Sequence, residues 1–200
     1  MKKSIILSFL ISQISFFSLW PFWLQLTKYL HNIVLLVVWF CFTLLISFLV
    51  FYIRKDQVTM KRSVLHSITL FYTLSLLTLL FFRPNDQSYD SINLIPFEMI
   101  LFYFSGQVSP VIAFYNISAN IGLFIPFGIY YCYISKQPSI WRLTLLTICS
   151  ITVIELTQFF TNRGSLDIDD LILNVCGVIL GYTLFPLVQQ VITITYKQKR

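Results

Sequence analysis

The sequence predicts an all-α integral membrane protein: a bundle of about six transmembrane helices with both termini in the cytoplasm. Three observations predict this class. The chain is 57% hydrophobic and only 11% charged, whereas roughly a quarter of the residues in a soluble domain are charged. Its apolar residues form runs that approach the roughly 20 residues needed to cross a bilayer. Its basic residues are clustered between these runs, as they are in membrane proteins that follow the positive-inside rule.

The apolar runs divide the chain into three parts. Residues 1–60 contain two predicted helices without a motif, residues 64–191 form a membrane domain that carries the motifs, and residues 192–200 form a basic cytoplasmic tail. The predicted spans are residues 4–26, 33–53, 64–82, 112–134, 143–160 and 171–191.

The first span follows two lysines, so a signal peptide is the alternative to a helix. No A-x-A-like cleavage site follows, and the apolar run is longer than a typical signal-peptide core. We therefore favour an uncleaved first helix.

The positions of Lys and Arg predict the orientation. Alternating the six spans places all but three of the 14 basic residues on one side, which should be cytoplasmic. The outer side holds Lys28, Arg83 and Arg163. Most acidic residues fall on or near that outer side, which suggests that the outer face has a function.

Several function classes are disfavoured. The net charge of +6 is explained by membrane topology, so nucleic acid is not an expected partner. The four cysteines lie in apolar segments and form no CxxC pair, and the two histidines are distant from them. We therefore expect no disulfide framework, no zinc site and no cofactor.

The strongest polar signal lies in the last two spans. Glu155 and Gln158 share one helix face, and a carboxylate in hydrocarbon needs a partner or a wet cavity. The spacing of Asp170, Asn174, Gly177 and Gly181 places them on one stripe of the last helix. The two glycines allow another helix to approach closely.

A purely structural interpretation of these polar residues stays open. Asp167, Asp169 or Asp170 would cap the start of the last helix, and Arg163 would pair with one of them. Because polar groups converging on one face usually mark a pathway or pocket, we favour a pocket for the group as a whole.

Two further segments add to this signal. In the fourth span, Asn120 precedes Pro126, which should kink the helix, and Gly128, which allows close packing beside the kink. The long outer loop contains an apolar stretch, residues 92–98, that either re-enters the membrane or lies on its surface.

These motifs, taken in order, resemble the VanZ-like family of bacterial membrane proteins. The resemblance covers about residues 65–185. It is carried by Asn93-Leu94-Ile95-Pro96-Phe97, Asn120 to Gly128, Glu155-Leu156-Thr157-Gln158, and then Arg163, Asp167, Asp169-Asp170, Asn174, Gly177 and Gly181. It implies a multi-pass protein of the bacterial cytoplasmic membrane and a link to teicoplanin resistance, without supplying a molecular activity.

Three functions follow as hypotheses. The first is an outward-facing polar pocket that binds a cell-envelope lipid, such as a cell-wall precursor, or a partner helix. Its candidate residues are Asn93, Glu98, Asn120, Glu155, Gln158, Arg163, Asp167, Asp169, Asp170 and Asn174, with Pro96, Pro126, Gly128, Gly177 and Gly181 as structural positions.

The second hypothesis is an intramembrane enzyme acting on a lipid-linked phosphate. Glu155 would be the general base, and Asp167 and Asp170 are candidates to hold a divalent cation. The third is a transporter. The polar residues are confined to the outer half of the membrane, which argues against a path through it. We favour a binding protein over an enzyme.

Overall fold

The computed structural model describes residues 2–26, 33–81 and 92–195. The chain divides into two compact units. Of the described residues, those up to Met60 and Pro186–Thr195 belong to the first unit, and those from Lys61 to Phe185 belong to the second. Arg83 and residues 196–200 of the predicted tail lie outside the described residues.

Helices make up most of the described part of the chain. They are α1 (Lys2–Ser18), α2 (Trp20–Leu26), α3 (Ile33–Arg54), α4 (Arg62–Phe81), α5 (Glu98–Phe104), α6 (Pro110–Ile134), α7 (Ile140–Phe160) and α8 (Ile168–Val191). Four short strands accompany them: β1 (Val58–Lys61), β2 (Ile92–Asn93), β3 (Leu166–Asp167) and β4 (Ile192–Thr195).

In the first unit, α1 packs against α3. The side of α1 that is buried carries Ser4, Ser8, Ser12 and Phe16 at four-residue spacing. The small serines let the two helices approach closely. The indole N–H of Trp39 on α3 donates a hydrogen bond to Gln13 Oε1 at 2.9 Å, which fixes the register of the pair.

The first predicted span is two helices rather than one. α1 ends at Ser18 and α2 begins at Trp20. Pro21 is the second residue of α2, and proline is tolerated in the first turn because the N–H it lacks would have no helical partner there.

The second unit is built around α4, α6, α7 and α8. Its buried apolar cluster consists of Leu76, Phe124, Leu143, Ile151 and Val178, so each of the four helices contributes to one core.

Glycines bring α6 and α8 into backbone contact. A Cβ added at Gly128 would overlap the carbonyl oxygen of Val178, and one at Gly181 would overlap that of Ile125. A Cβ at Gly177 would meet the carbonyl oxygen of Ile121. Only glycine therefore fits these three positions without a shift of the helices.

In the described residues, α4, α6, α7 and α8 are long and apolar enough to cross a membrane, and residues 38–54 of α3 form a shorter apolar segment. Large apolar side chains point outward from these helices: Phe71 is 74% exposed, Trp141 82% and Phe160 78%. Such surfaces suit hydrocarbon rather than water. The chain is thus an all-α membrane protein, while the count of six spans and the orientation of the termini stay predictions.

The four spanning helices correspond to the third to sixth predicted spans. Each begins two or three residues earlier than predicted. The long outer loop contains the short helix α5 and the strand β2, which pairs in parallel with β3. In the first unit, β1 pairs with β4. The segment predicted as a cytoplasmic tail, residues 192–200, therefore begins with a strand.

Candidate functional site

Strands β2 and β3 anchor the loop that precedes α5. Asn93 is the partner of Asp167 in the parallel pair. The amide nitrogen of Asn93 lies 3.5 Å from Asp167 Oδ1, and its amide oxygen accepts a hydrogen bond from the Ile95 N–H at 3.1 Å. The same Asp167 oxygen accepts the N–H of Asp169 at 2.9 Å. These contacts join the loop to the start of α8.

Asp169 then holds the start of α5. Its carboxylate accepts three backbone hydrogen bonds: from Phe97 at 2.5 Å, from Met99 at 2.8 Å and from Ile100 at 3.1 Å. Its side chain is only 1% exposed. The N-terminal N–H groups of a helix have no partner within the helix and favour negative charge. Asp169 supplies both the acceptors and the charge from a distant part of the sequence.

The local backbone makes this capping possible. Phe97 has a φ of +68°, in the left-handed region that side chains other than glycine rarely occupy. This conformation follows Pro96 and turns the chain so that the next N–H groups face Asp169. The Asp169 hydrogen bonds offset the strain at Phe97.

Burial affects the titration of groups around this junction. It raises the pKa of Asp167, an effect that the hydrogen bond from the Asp169 N–H opposes. Burial also raises the pKa of Tyr103 on α5, and the charges of Asp170 and Asp167 add to the rise. α5 therefore lies within electrostatic reach of the start of α8.

A small polar cavity lies next to this junction, within the second unit. We call it the polar cavity; its volume is about 30 Å³, room for about two water molecules. Its polar lining residues are Asn120, Glu155, Gln158, Ser165, Asp170 and Asn174.

Two amide groups are held in place at the cavity wall. Asn120 donates from its amide nitrogen to Asp170 Oδ1 at 2.7 Å, which joins α6 to α8. Gln158 donates to the carbonyl oxygen of Leu80 at 2.9 Å, which joins α7 to α4. With the nitrogens engaged in these bonds, the amide oxygens of both residues remain as acceptors.

Two other acceptors in the cavity have no protein partner. They are Glu155 Oε1 and Asn174 Oδ1, both fully shielded from solvent. The side chains are 7% and 8% exposed. A buried polar atom without a hydrogen bond costs about 1–3 kcal/mol, and more for a charged group. Each oxygen would therefore gain from a bound molecule that donates a hydrogen bond.

The structure separates the predicted site residues into two groups. Asn120, Glu155, Gln158, Asp170 and Asn174 line the polar cavity. Asn93, Asp167 and Asp169 instead hold the loop before α5, as described above. Arg163 is half-buried in the turn after α7, while Pro96 and Glu98 are exposed.

Two cavity residues were not predicted. Gly164 and Ser165 line the polar cavity in the turn between α7 and β3. A Cβ at Gly164 would lie 3.2 Å from the Gln158 Cβ, so glycine lets the turn pass close to Gln158. The sequence signal was the Gly-Ser pair between two polar motifs.

Within residues 2–26, 33–81 and 92–195, no group of three His, Cys, Asp or Glu side chains is arranged to hold a metal ion. The oxygens of Asp167 and Asp170 described above accept hydrogen bonds from protein groups. The divalent-cation alternative therefore gains no support from this geometry.

Comparison with known proteins places this geometry in a family context. The family model described as VanZ/LLP1 matches residues 33–189. The match confirms the resemblance read from the motifs and begins upstream of them. Among curated proteins and among solved structures there is no match.

Proposed function

Because the chain belongs to the VanZ/LLP1 family, we propose that its polar cavity binds a small polar group of a cell-envelope lipid. The membrane is the bacterial cytoplasmic membrane, and the cavity faces its outer side. Lower susceptibility to teicoplanin, through altered access to cell-wall precursors, is the expected consequence.

One observation carries this proposal. Glu155 Oε1 and Asn174 Oδ1 are buried acceptors without a protein partner, and both residues line one cavity. Native proteins pair nearly all such atoms, so an exception in a cavity between spanning helices points to a ligand. The other lining residues come from α4, α6, α7, the following turn and α8, as in ligand pockets formed between the helices of a bundle.

Catalysis on a lipid-linked phosphate is less well supported. The cavity is small, at about 30 Å³, and the carboxylates of Glu155 and Asp170 line it. A phosphate carries several oxygens and a negative charge that these groups would repel. No observation on the described residues favours a reaction step.

The test is teicoplanin susceptibility of a sensitive bacterium that expresses the wild type or one of two variants, Glu155→Gln or Asn174→Leu. Protein abundance in the membrane is measured for each strain. We expect protection by the wild type and its loss in both variants at equal abundance.

Thr157→Val is the matched control. Thr157 lies on the same helix as Glu155 but is exposed, and its hydroxyl bonds only to its own helix, at Val153. Protection should persist in this variant. Equal protection by Glu155→Gln and wild type, or no protection by well-expressed wild type, would overturn the proposed function.

A further inference from the structure

A second cavity lies among α4, α6, α7 and α8 and has a volume of about 290 Å³. We call it the apolar cavity. Its walls include Leu76, Leu77, Leu146 and Val178. The volume is just below the roughly 300–1,000 Å³ typical of ligand pockets, and the four helices are those in the described residues that are long enough to cross a membrane.

Two of the hydroxyl groups that line this cavity already donate hydrogen bonds to the protein. Thr73 donates to the carbonyl oxygen of Thr69 at 2.8 Å, and Thr147 donates to that of Leu143 at 2.8 Å. The hydroxyl hydrogens of these two threonines are therefore used within their own helices, and the third hydroxyl group, that of Ser150, belongs to an exposed residue. The remaining walls are almost entirely hydrocarbon, which suits an apolar chain and does not retain water.

The two cavities are neighbours with common walls. Phe124, Ile151 and Ile154 line both the apolar and the polar cavity. Glu155 and Asn174 therefore lie about one side chain away from the apolar cavity. The ligand that suits both spaces is an amphiphile with a hydrocarbon chain and a small polar end.

The chemistry of the polar cavity selects that polar end. The two unpartnered atoms, Glu155 Oε1 and Asn174 Oδ1, are oxygens, so the ligand must donate hydrogen bonds. The unpartnered Glu155 oxygen belongs to a carboxyl group, which favours a donor with positive charge. The volume of about 30 Å³ suits a small group such as an ammonium.

We propose that the two cavities together bind one lipid with a primary amine, its ammonium group at Glu155 and Asn174 and its hydrocarbon chain in the apolar cavity. This rests on the proposed function and specifies its ligand class. The hydrocarbon chain of the lipid is in an apolar environment both in the bilayer and in the apolar cavity. Selectivity therefore arises at the ammonium end. The apolar cavity sets the position of the chain.

The test uses the full-length protein in phosphatidylcholine nanodiscs and a dodecylamine probe with a photoreactive diazirine near its far end. Phosphatidylcholine is a suitable background because its quaternary ammonium has no N–H to donate. After illumination, the labelled peptides are mapped. We expect labelling in α4 and α7 beside the apolar cavity, and competition by untagged dodecylamine but not by dodecyl phosphate.

Variants in the two cavities distinguish the contribution of the hydrocarbon chain from that of the amine. Ser150→Phe fills the apolar cavity, of which Ser150 is a wall, and should reduce labelling about tenfold. Leu146→Trp is a second filling variant in case the first is poorly expressed. Leu145→Phe adds a similar ring at a position that does not line the apolar cavity and should leave labelling unchanged. Glu155→Gln should reduce labelling by a similar factor of about ten, the equivalent of 1.4 kcal/mol.

A dodecyl phosphate probe with the same diazirine is tested alongside. If it labels the protein as strongly as the dodecylamine probe, and Ser150→Phe changes neither labelling, the cavity holds ordinary bilayer lipid and the inference is overturned. Teicoplanin protection separates this outcome from a failure of the proposed function. Protection that depends on Glu155 but survives both filling variants leaves the proposed function standing and removes the amine lipid. Loss of protection and of labelling in the filling variants supports both.

Discussion

The carboxylate of Asp169 accepts a hydrogen bond from the backbone N–H of Phe97, 72 residues earlier in the chain, at a distance of 2.5 Å. This bond and its two neighbours tie the start of α5 to the first turn of α8. The loop before α5 thus depends on one side chain from another element, and a change in that side chain should act on the loop.

Asp169→Asn should loosen α5 and lower the free energy of unfolding by roughly 2–4 kcal/mol. Asn keeps one acceptor oxygen, but its amide nitrogen would face N–H groups that also donate. Hydrogen exchange in detergent should show faster exchange at residues 97–104. The exposed Gln107 supplies the control: Gln107→Ala should leave exchange of these amides as in the wild type.

The stability of the junction should depend on pH through Asp167. Burial raises the pKa of this carboxyl above its ordinary value of 3.8, so the folded protein holds the proton more tightly than the unfolded chain. The contribution to stability is complete below pH 3.8 and is lost as pH rises through the raised pKa. Unfolding in detergent as a function of pH measures it.

The matched comparison is Asp167→Asn, which keeps an acceptor oxygen for the Asp169 N–H but does not titrate. Its stability should change less with pH over that window. Glu98 is one of the charges that raise the pKa of Asp167, so Glu98→Gln should move the window to lower pH. A wild-type profile that rises across this window would contradict the expected sign.

Gly128→Ala and Gly181→Ala should both reduce the amount of folded protein. Each new Cβ would overlap a carbonyl oxygen of the facing helix, and overpacking of this kind costs about 1–3 kcal/mol or more. Fluorescence-detected size-exclusion chromatography after graded heating reports the loss.

Gly122 is the internal control for the glycine prediction. It lies on the same helix as Gly128, and apart from its own helix nothing lies within 4 Å of a Cβ built there. Gly122→Ala should be neutral or stabilising by about 0.5–1 kcal/mol, because Ala is the better helix former. If Gly122→Ala and Gly128→Ala behave alike, helix propensity rather than close packing decides the result.

In the first unit, Ser12→Leu should separate α1 from α3. Ser12 is fully buried at 0% exposure, whereas Ser18 at the end of α1 is exposed. The larger side chain at position 12 should cost about 1–3 kcal/mol through overpacking, and Ser18→Leu should not. Limited proteolysis near residues 55–60 distinguishes the two variants.

The spanning helices of the second unit were predictable because hydrocarbon imposes a length and a composition on each helix. The stripe of Asp170, Asn174, Gly177 and Gly181 was also readable, since helical periodicity alone puts these residues on one face. In the structure this stripe contacts α6, through Asn120 at its polar end and the backbone at its glycine end.

Other features depended on contacts that the local sequence does not reveal. Strand β2 has only two residues and exists because Asn93 meets Asp167. The serines of α1 were readable by their four-residue spacing but were not identified, since their apolar neighbours dominate the hydropathy. The division of the acidic residues between the polar cavity and the loop required coordinates, because Asp169 and Asp170 are adjacent in sequence.

The capping of α5 by α8 also has a consequence for biosynthesis. Phe97 leaves the ribosome well before Asp169, since 72 positions separate them. At about 5–20 residues per second, that interval is roughly 4–14 seconds. During this time the N–H groups at the start of α5 lack the Asp169 carboxylate as an acceptor, and the junction between α5 and α8 can form only after Asp169 has been made.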